Sequence, residues 1–551
     1  MVMIVSYWNI LYLGKKGFFL INLFYLGIFV IYTNYIFIYL LNNDVLIYYD
    51  LFTVFYLEEN LPVTISFYID IYNYSYINLT LTIGWTAYCY AYSYMRDEIF
   101  LEKFLFLLLS FLLSMVLLLL ANNFIILLLG WELIGITSYF LINFWVTKIS
   151  TFKAAFKAFI FNRLSDLGII VFLIFYLNYY NTLMLNFDVW FYHYSLYIFY
   201  EINSFLINGY DIIIFFLMIS TSCKSAQFGF HVWLPDSMEA PVPASALIHS
   251  ATLVSAGIYL INKFWTIILL SNYVIIIFLI LSTWTSFYGS FIALYQTDLK
   301  RILAYSTISH CGILMTISYL NNIYILILYL YVHGFFKSLS FMCVGNLIKT
   351  SLNIQDYRFM GQKYQIHKFE YFFLNFSLMN LSGYSLSLGF FAKHFIILNF
   401  YFLNIINYIS FFFFLLTACS GFFYTFFLIN NVFFNFSKSF PSNSYNKSSS
   451  YTSSTPPFQL YSITILTIYT FILLYYILSF IYLPKFFFLG NNYINDFLIN
   501  NLLFNKELNI FYLYINIFLW NFFIVFFIFI FYKNYFFFYT YIYYQLLILF
   551  I

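Results

Sequence analysis

Long apolar stretches separated by short polar breaks run along nearly the whole chain. An apolar run of roughly 20 residues is long enough for a helix to cross a bilayer of about 30 Å, whereas membrane barrels alternate in strands of about ten residues. The pattern therefore predicts an all-α, polytopic membrane protein of about 14 helices. The predicted spans lie near residues 18–41, 66–93, 104–121, 124–146, 154–178, 210–233, 243–262, 270–294, 299–320, 323–347, 371–400, 403–431, 459–483 and 509–532.

The polar breaks divide the chain into four parts. Residues 1–65 hold the N-terminal helices, of which the first, in residues 1–13, is too short to cross a membrane. The core of predicted spans covers residues 66–431. Residues 432–458 are rich in Ser and Pro and are expected to form an exposed loop, and residues 459–551 contain the last helices.

Composition supports the membrane assignment and narrows the chemistry. Hydrophobic residues make up 64% of the chain and charged residues 8%, against about 25% charged in soluble domains. The net charge of +3 comes from basic residues spread among short loops, which leaves no patch for nucleic acid. The five cysteines are far apart and no GxGxxG or Walker-type loop occurs, so we expect no metal, iron–sulfur cluster or nucleotide on this chain. The 78 Phe and 58 Tyr residues, which A- and T-rich codons specify, indicate a mitochondrial gene, although the gene of an A- and T-rich bacterium would have the same composition.

The most unusual stretch is Lys224–Gly257, where a lysine, two histidines and three of the eight prolines interrupt an apolar sequence. A cation in an apolar membrane helix costs about 2.5–3.5 kcal/mol, so Lys224 is a candidate functional residue. Gln227 and His231 follow at i+3 and i+7, which predicts a polar stripe along one helix face. The clustered prolines predict interrupted helices. His249 follows them and is either part of the same site or a packed, hydrogen-bonded histidine.

Other ionisable residues lie inside predicted spans. Glu132, in LLLGWELIGITSY, reads as a lone buried carboxylate, with a helix-end glutamate at the membrane interface as the alternative. Arg163 and Asp166 stand at i, i+3, and an ion pair without a further role explains them equally well. Asp298 is expected to cap a helix. His310, about three turns further along, is either a relay or a packed residue.

Two more lysines stand next to histidines. His333 and Lys337 at i, i+4 share a helix face, whereas Lys393 and His394 are adjacent and point in different directions. Lysines in three separate spans, each near a histidine, indicate a proton relay across the protein rather than a single binding pocket. A carboxylate that makes and breaks contact with a buried lysine would make that lysine hold or release its proton.

Six motifs occur in a recognisable order: WELIG, NRLSD, KSAQFGFHVWLPDSMEAPVPASALIH, DLKRILAYSTISHCG, HGFFKSLSF and GFFAKHF. Together they resemble the antiporter-like membrane subunits of respiratory complex I, over roughly residues 66–431. The SAQ and SALIH forms of the central motif favour the subunit at the far end of the membrane arm over its paralogues. The resemblance implies two inverted repeats of five helices, broken helices in each, and an axis of charged residues midway through the membrane.

The resemblance implies roles for residues of the first half. Glu132 is the implied switch carboxylate, and Lys224 is its partner lysine. Asp166 is expected near the interface with a neighbouring subunit. His249 is expected to link the first half to the second.

The second half both matches the family and departs from it. Lys337 is the implied central lysine, Lys393 the lysine of the second half-channel, and His333 a link between them. His394 stands where the family has an acidic residue, and Tyr329 replaces a family histidine one turn before His333. These two departures leave open whether the exit half of the path works.

Further departures concern a helix break and the end of the chain. The proline that usually breaks the later helix is absent from SGYSLSLGFF, which leaves Gly383 and Gly389 to allow a break. About 19 residues follow Tyr532, too few for both the lateral helix and the final anchor of the family. We therefore expect the lateral helix to be truncated or supplied by a separate polypeptide.

The implied function is that of a proton-translocating subunit in the mitochondrial inner membrane, which couples NADH:ubiquinone electron transfer to proton pumping without redox chemistry of its own. NADH, FMN, iron–sulfur clusters and ubiquinone would bind elsewhere in the complex. The expected partners are the neighbouring antiporter-like subunit 4, accessory subunits and phospholipid such as cardiolipin, and not nucleic acid. Two alternatives stay open: the large subunit of an Mrp-type sodium/proton antiporter, and a structural subunit whose channel has decayed.

Overall fold

The computed structural model describes residues 10–43, 46–56, 62–180, 199–202, 205–271, 273–351, 353–361, 363–365, 367–384, 387–401, 406–434 and 457–481. Nine helices in these ranges are long and apolar enough to cross a membrane, which confirms a helical, polytopic membrane protein. The total of about 14 helices stays a prediction. The predicted short helix up to residue 9, most of the Ser- and Pro-rich loop, the span at 509–532 and the lateral helix lie outside the described residues.

The helices follow the predicted spans, with ends shifted by a few residues. They are α1 (Ile10–Asn43), α2 (Ile71–Tyr94), α3 (Leu101–Leu120), α4 (Phe124–Ile142), α5 (Ile149–Tyr180), α6 (Gly209–Lys224), α7 (Val242–Ser250), α8 (Leu253–Lys263), α9 (Val274–Ala293), α10 (Leu299–Tyr319), α11 (Ile323–Thr350), α12 (Lys368–Ser382), α13 (Leu388–Tyr401), α14 (Ile406–Ile429) and α15 (Pro457–Ile481). Short helical turns occupy Trp233–Asp236, Ser237–Glu239, Trp265–Ile268, Tyr357–Phe359 and Lys363–Gln365, and a π-helical turn, Asn430–Phe434, extends α14. A kink at Gly14, with φ of 63°, separates the first turn of α1 from its body.

Two β-hairpins were not predicted. Their strands are β1 (Ile47–Tyr56), β2 (Pro62–Ile69), β3 (Phe199–Ile202) and β4 (Phe205–Asn208), paired antiparallel as β1 with β2 and β3 with β4. The span predicted from residue 66 is wrong at its start, because residues 66–69 belong to β2. Alternating β-branched and aromatic residues in PVTISFYI favour this strand. The carboxylate of Asp70 then accepts a hydrogen bond of 2.5 Å from the N–H of Asn73 and begins α2.

The span predicted at residues 210–233 is interrupted. Helix α6 ends at Lys224, and turns follow in which Ala226 and Gly229 have φ of 52° and 89°. Such left-handed conformations cannot continue a right-handed helix. The predicted polar stripe of Lys224, Gln227 and His231 on one helix face is therefore wrong, since only Lys224 lies on the helix.

The later spans also contain the predicted breaks. The span near 243–262 is split into α7 and α8, and the span near 371–400 into α12 and α13. Gly383 ends α12 with φ of 80°, as expected where glycine takes the place of proline. A Cβ on Gly389 would overlap the carbonyl oxygen of Asn380, so the two half-helices meet closely there.

Two sets of five crossings build the bundle. The first set is α3, α4, α5, α6 with its turns, and the α7–α8 pair, and the second is α9, α10, α11, the α12–α13 pair, and α14. The fourth crossing is interrupted in both sets. Because each set has five crossings, an odd number, the second set starts on the opposite side of the membrane and runs in the opposite direction. All residues in the most apolar window of the α7–α8 pair are buried, as are 94% of those in the windows of α10 and α11, so these elements lie at the centre.

Outside the crossings, a loop after α11 holds the start of α10. The N–H of Leu299 donates to the carbonyl of Gln355 at 3.0 Å. Arg358 donates to the Asp356 carboxylate at 2.9 Å, and this hydrogen bond lowers the pKa of Asp356. The ion pair therefore fixes the loop that leads into α12.

Candidate functional site

Three buried lysines mark the interior of the bundle. Lys224 and Lys337 are 0% exposed and Lys393 is 5% exposed. In the part of the chain that the structure describes, none of the three has a carboxylate oxygen within 4.0 Å. Each ammonium donates to a neutral oxygen instead, so its proton is not locked into an ion pair.

Lys224 joins the end of α6 to the middle of α4. Its Nζ donates to the carbonyl of Trp131 at 2.6 Å and lies 3.7 Å from the centre of the Trp131 ring. Carbonyl and ring both favour the ammonium form through their negative charge density. The lysine therefore contacts the residue that precedes Glu132, and not the Glu132 carboxylate itself.

Glu132 lies on the outer surface of the bundle. Its side chain is 42% exposed, and its Oε1 lies 4.0 Å from Nη1 of Arg163. The prediction that Glu132 is a lone buried carboxylate is therefore wrong in this structure, because its side chain is partly exposed and lies near Arg163 of α5. Since Glu132 is mid-helix, the alternative of a helix-end glutamate is not supported either.

The predicted pair of Arg163 and Asp166 is confirmed. Nη1 of Arg163 lies 3.3 Å from Asp166 Oδ2, and the Asp166 side chain is 8% exposed. The Ser165 hydroxyl lies 3.4 Å from Asp166 Oδ1. Arg163 thus contacts two carboxylates at once, and the three charges form one group on the α4–α5 surface.

His249 lies at the end of α7, next to the central lysine. Its Nε2 shares a hydrogen bond of 3.1 Å with the Ser237 hydroxyl, and its ring stacks 5.9 Å from that of Phe341. His249 is close enough to Lys337 and His333 to interact with both electrostatically. His249 is therefore placed where the first half meets the second, and its role as a link stays a prediction.

His231 does not join this group. It lies in the turns after α6, with its ring 5.9 Å from Phe228 and 4.9 Å from Tyr288. It packs among aromatic rings and does not share a face with Lys224.

The central lysine stands between α10 and α11. Nζ of Lys337 donates to the Ser306 hydroxyl and, at 3.4 Å, to the carbonyl of Leu303. His333 lies one turn earlier on α11, with its ring 5.7 Å from that of His310. Nδ1 of His310 shares a hydrogen bond of 2.7 Å with the Tyr329 hydroxyl. His310 is thus within the central group.

Lys393 lies on α13, and its side chain reaches back to the break between α12 and α13. Its Nζ donates to the carbonyl of Ser382 at 2.8 Å, one of the acceptors that a helix end leaves free. The ring of His394 lies 5.8 Å from that of Phe390, one turn earlier on α13, so it points in a different direction from Lys393. Asp298 is the N-cap residue of α10, but its carboxylate pairs with Arg301 at 3.4 Å and makes no cap hydrogen bond.

Sequence reasoning missed three buried charged groups near helix ends. Nζ of Lys263 donates to Ala121 O at 2.5 Å and to the Tyr259 hydroxyl at 3.1 Å. Lys300 donates to the carbonyls of Met238 and Ala240, at 3.2 and 3.1 Å. His367 and Glu370 lie 3.6 Å apart, and both are less than 7% exposed. The i, i+3 spacing of His367 and Glu370 was a sequence signal for this pair. No local sequence feature indicated that Lys263 and Lys300 are buried.

No metal centre is apparent in the described part of the chain. Groups of three or more His, Cys, Asp or Glu residues able to hold an ion do not occur among the described residues. The buried side chains of the bundle are instead lysines and histidines, groups that can bind and release a proton.

Comparisons with known proteins agree with this arrangement. A family model described as NADH:quinone oxidoreductase/Mrp antiporter matches residues 121–420. NADH-ubiquinone oxidoreductase chain 5 of Paramecium tetraurelia is 47% identical over 387 residues, which are 69% of this chain and 67% of the relative. The chain 5 protein of Balaenoptera musculus is 33% identical over 335 residues, 61% of this chain and 53% of the relative. This chain therefore spans about half the length of the whale relative.

A solved structure has the same fold. A chain of the Mrp complex from Dietzia sp. aligns with a TM-score of 0.70 and 20% identity, over 85% of this chain and 48% of that chain. At this identity the likeness concerns the fold alone.

Proposed function

Because the chain belongs to the NADH:quinone oxidoreductase/Mrp antiporter family, we propose that it is the chain 5 subunit of respiratory complex I and translocates protons. One observation carries the proposal: Lys224, Lys337 and Lys393 are buried at helix breaks or at the centre, and each bonds a neutral oxygen. A buried lysine without a counter-ion can lose its proton without leaving an unpaired carboxylate. Such lysines are suited to carry protons through a membrane protein.

The proposed path begins at the charged group on α4 and α5. Glu132 and Asp166 share Arg163, and the carbonyl of Trp131, next to Glu132, holds Lys224. If Arg163 shifts between its two carboxylates, the field at Lys224 changes and favours or disfavours its proton. Both carboxylates interact electrostatically with Lys224, so a shift of Arg163 towards one of them strengthens the effect of the other on the lysine.

From Lys224 the proton path leads through the centre of the bundle to the second break. His249 and His333 lie near Lys337, and His310 is close enough to both Lys337 and Lys393 to interact with them electrostatically. Lys393 at the break in α12–α13 is the proposed last station before the exit. This chain does no redox chemistry, and NADH, FMN, iron–sulfur clusters and ubiquinone belong to other parts of the complex.

A neighbouring subunit is proposed to cover the charged group. Glu132 and Arg163 are 42% and 41% exposed in the middle of membrane helices, beside Leu129 and Leu167, which are 58% and 64% exposed. Charges that face lipid at this depth are costly, so a polar surface of another chain is expected there. We propose that the neighbouring antiporter-like subunit 4 supplies it, in the mitochondrial inner membrane.

Replacing Lys224 by methionine tests the function. We expect K224M to assemble but to lose most of the protons pumped per NADH oxidised, because methionine keeps most of the length of the side chain and cannot carry a proton. The measurement is the proton-to-electron ratio in intact membranes. K157M is the control, since Lys157 pairs with Asp236 at the protein surface. A normal ratio in an assembled K224M complex would favour the structural subunit instead.

An Mrp-type antiporter is the second candidate, because the shared fold with the Dietzia complex supports it. It predicts sodium-dependent proton exchange in a preparation that does not oxidise NADH. Proton pumping driven by NADH, without a need for sodium, would exclude it.

A further inference from the structure

The hydroxyl of Ser237 determines which ring nitrogen of His249 carries a hydrogen. This hydroxyl donates to the carbonyl of Leu234 and lies 3.1 Å from Nε2 of His249. A serine hydroxyl has one proton, and a carbonyl can only accept, so the Leu234 carbonyl already uses that proton. The Ser237 oxygen must therefore accept from His249, and Nε2 is the nitrogen that bears the hydrogen in the neutral ring.

The other ring nitrogen of His249 is the one that can bind a further proton. A neutral imidazole with its hydrogen on Nε2 has a free lone pair on Nδ1. Nδ1 of His249 is buried and makes no hydrogen bond to a described residue. The ring also stacks on that of Phe341, with 5.9 Å between the centres and 28° between the planes. Stacking and the contact with Ser237 together oppose a ring flip, so the two nitrogens keep different roles.

The turn that carries Ser237 is held from the second half of the bundle. Ser237 begins the short helical turn before α7, and its carbonyl accepts from the N–H of Ala240 at 3.1 Å. Lys300, near the start of α10 and 4% exposed, donates to the carbonyls of Met238 and Ala240 at 3.2 and 3.1 Å. These hydrogen bonds limit movement of the turn and keep the Ser237 hydroxyl next to the ring.

We propose that Ser237 is a positioning residue, which makes His249 take up and release its mobile proton at Nδ1 alone. The proposal rests on the function proposed above. A histidine that passes protons along a chain of hydrogen bonds accepts one on the first nitrogen and loses another from the second. That route is closed for His249, because its Nε2–H faces a hydroxyl whose own proton goes to a backbone carbonyl. The ring therefore stores a positive charge where the two halves meet.

The proton balance at the His249 ring follows from this arrangement. On uptake, a bond forms between Nδ1 and a proton from a neighbouring acid of the proposed path, an ammonium or hydronium group, and the ring becomes a cation. Nε2 still donates to Ser237 in this state. On release, the Nδ1–H bond breaks, the proton goes to a neighbouring base, and the original tautomer returns. While it is charged, the ring repels the nearby ammonium of Lys337 and so favours loss of a proton there.

Removing the Ser237 hydroxyl tests the proposal. In S237A the Nε2–H has no acceptor, so the neutral ring can adopt either tautomer and the charged ring loses a hydrogen bond. We expect coupled NADH oxidation to fall about fivefold, the factor that one net hydrogen bond typically contributes. S114A is the matched control, because Ser114 is 1% exposed and its hydroxyl also donates to the carbonyl three residues earlier, that of Phe111 at 2.7 Å, but on α3. It should oxidise NADH at the normal rate.

Two further readouts separate proton transfer from packing. The solvent deuterium isotope effect on coupled turnover should rise in S237A and stay unchanged in S114A, because only the first variant slows a proton transfer. S237T should restore turnover, because threonine returns the hydroxyl. An S237A complex that matches S114A in rate and isotope effect would overturn the proposal, as would an assembled S237T complex that is as slow as S237A.

A second substitution keeps the test decisive if S237A does not assemble. S237C nearly keeps the volume of the side chain, but sulfur is a weak acceptor, so turnover should again fall, and normal turnover would overturn the proposal. K337M in the same series distinguishes the two levels of inference. Normal pumping in K337M would refute the proposed function, whereas loss of pumping in K337M with normal turnover in S237A would refute the role of Ser237 alone.

Discussion

The buried lysines differ from surface lysines in what they bond. Lys393 donates to the carbonyl of Ser382, and Lys224 to the carbonyl of Trp131. A carboxylate partner would stabilise the charged form so strongly that the proton would stay, while an apolar pocket would expel the charge altogether. A carbonyl oxygen lies between these limits, because it hydrogen-bonds the ammonium without adding a full negative charge.

Arginine at position 393 tests this argument at the level of one residue. K393R keeps a cation and a donor for Ser382, so we expect normal assembly, but a guanidinium holds its proton at all relevant pH values. The number of protons pumped per NADH should therefore fall. The measurement is the proton-to-electron ratio of the assembled complex in sealed membranes.

The neighbouring histidine is the control for Lys393. His394 points away from Lys393 towards the ring of Phe390, so H394Q should pump almost normally. This result would show that the path past Lys393 does not need the acidic residue that the family has at this position. A defect in H394Q as large as that in K393R would show that the two residues act together.

At the level of helices, the breaks determine which backbone carbonyl groups the lysines can hydrogen-bond. Gly383 adopts a left-handed conformation at the end of α12, which frees the carbonyl of Ser382 for Lys393. The Asn380 side chain accepts from the N–H of Leu388 at 3.1 Å and so begins α13. The break is therefore held by specific hydrogen bonds.

A methyl group added at Gly389 should disturb this break. In G389A the new Cβ would overlap the carbonyl of Asn380, and relieving the overlap must move a half-helix. We expect a loss of about 1–3 kcal/mol of stability, seen as a lower temperature of thermal inactivation. G421A is the matched control, because no atom lies within 4 Å of its Cβ, and alanine within a helix is favoured by about 0.5–1 kcal/mol. Equal inactivation temperatures for the two variants would contradict this account of the break.

The sequence predicted elements better than contacts. Apolar runs located the helices, and i, i+3 spacing predicted the pair of Arg163 and Asp166, because both signals are local. The clustered prolines predicted an interruption after Lys224 but not its place, because the break begins at Ala226, well before Pro235 and at a residue type that rarely adopts positive φ. The contact between Lys224 and Trp131 joins residues 93 positions apart, and no local spacing encodes it. The strands β1 and β2 were missed because their aromatic and β-branched residues resemble any apolar run.

At the scale of the molecule, basic residues gather at one end of the bundle. The charged end is formed by the connections α2–α3, α4–α5, α9–α10 and α11–α12, and the hairpin end by the β1–β2 hairpin and the connections α3–α4 and α10–α11. At the hairpin end, the described residues include a single basic residue, the buried Lys263. The basic residues of the charged end include Lys15, Lys16, Arg96, Lys148, Lys157, Arg301, Lys349 and Arg358. Basic connections stay on the side where a membrane protein is made. The charged end should therefore face the compartment in which the chain is synthesised, which is the matrix for a mitochondrial gene product.

Cysteine labelling tests this orientation. Asp97 at the charged end has a side chain that is 90% exposed, and Tyr49 in the hairpin is 60% exposed, so D97C and Y49C place reactive thiols at opposite ends. In mitoplasts, a membrane-impermeant maleimide should label Y49C and leave D97C unlabelled until the membrane is permeabilised. The five native cysteines are buried or only partly exposed, which keeps the background low. Labelling of D97C alone in sealed mitoplasts would reverse the orientation and, with it, the direction in which protons enter the path from Lys224 to Lys393.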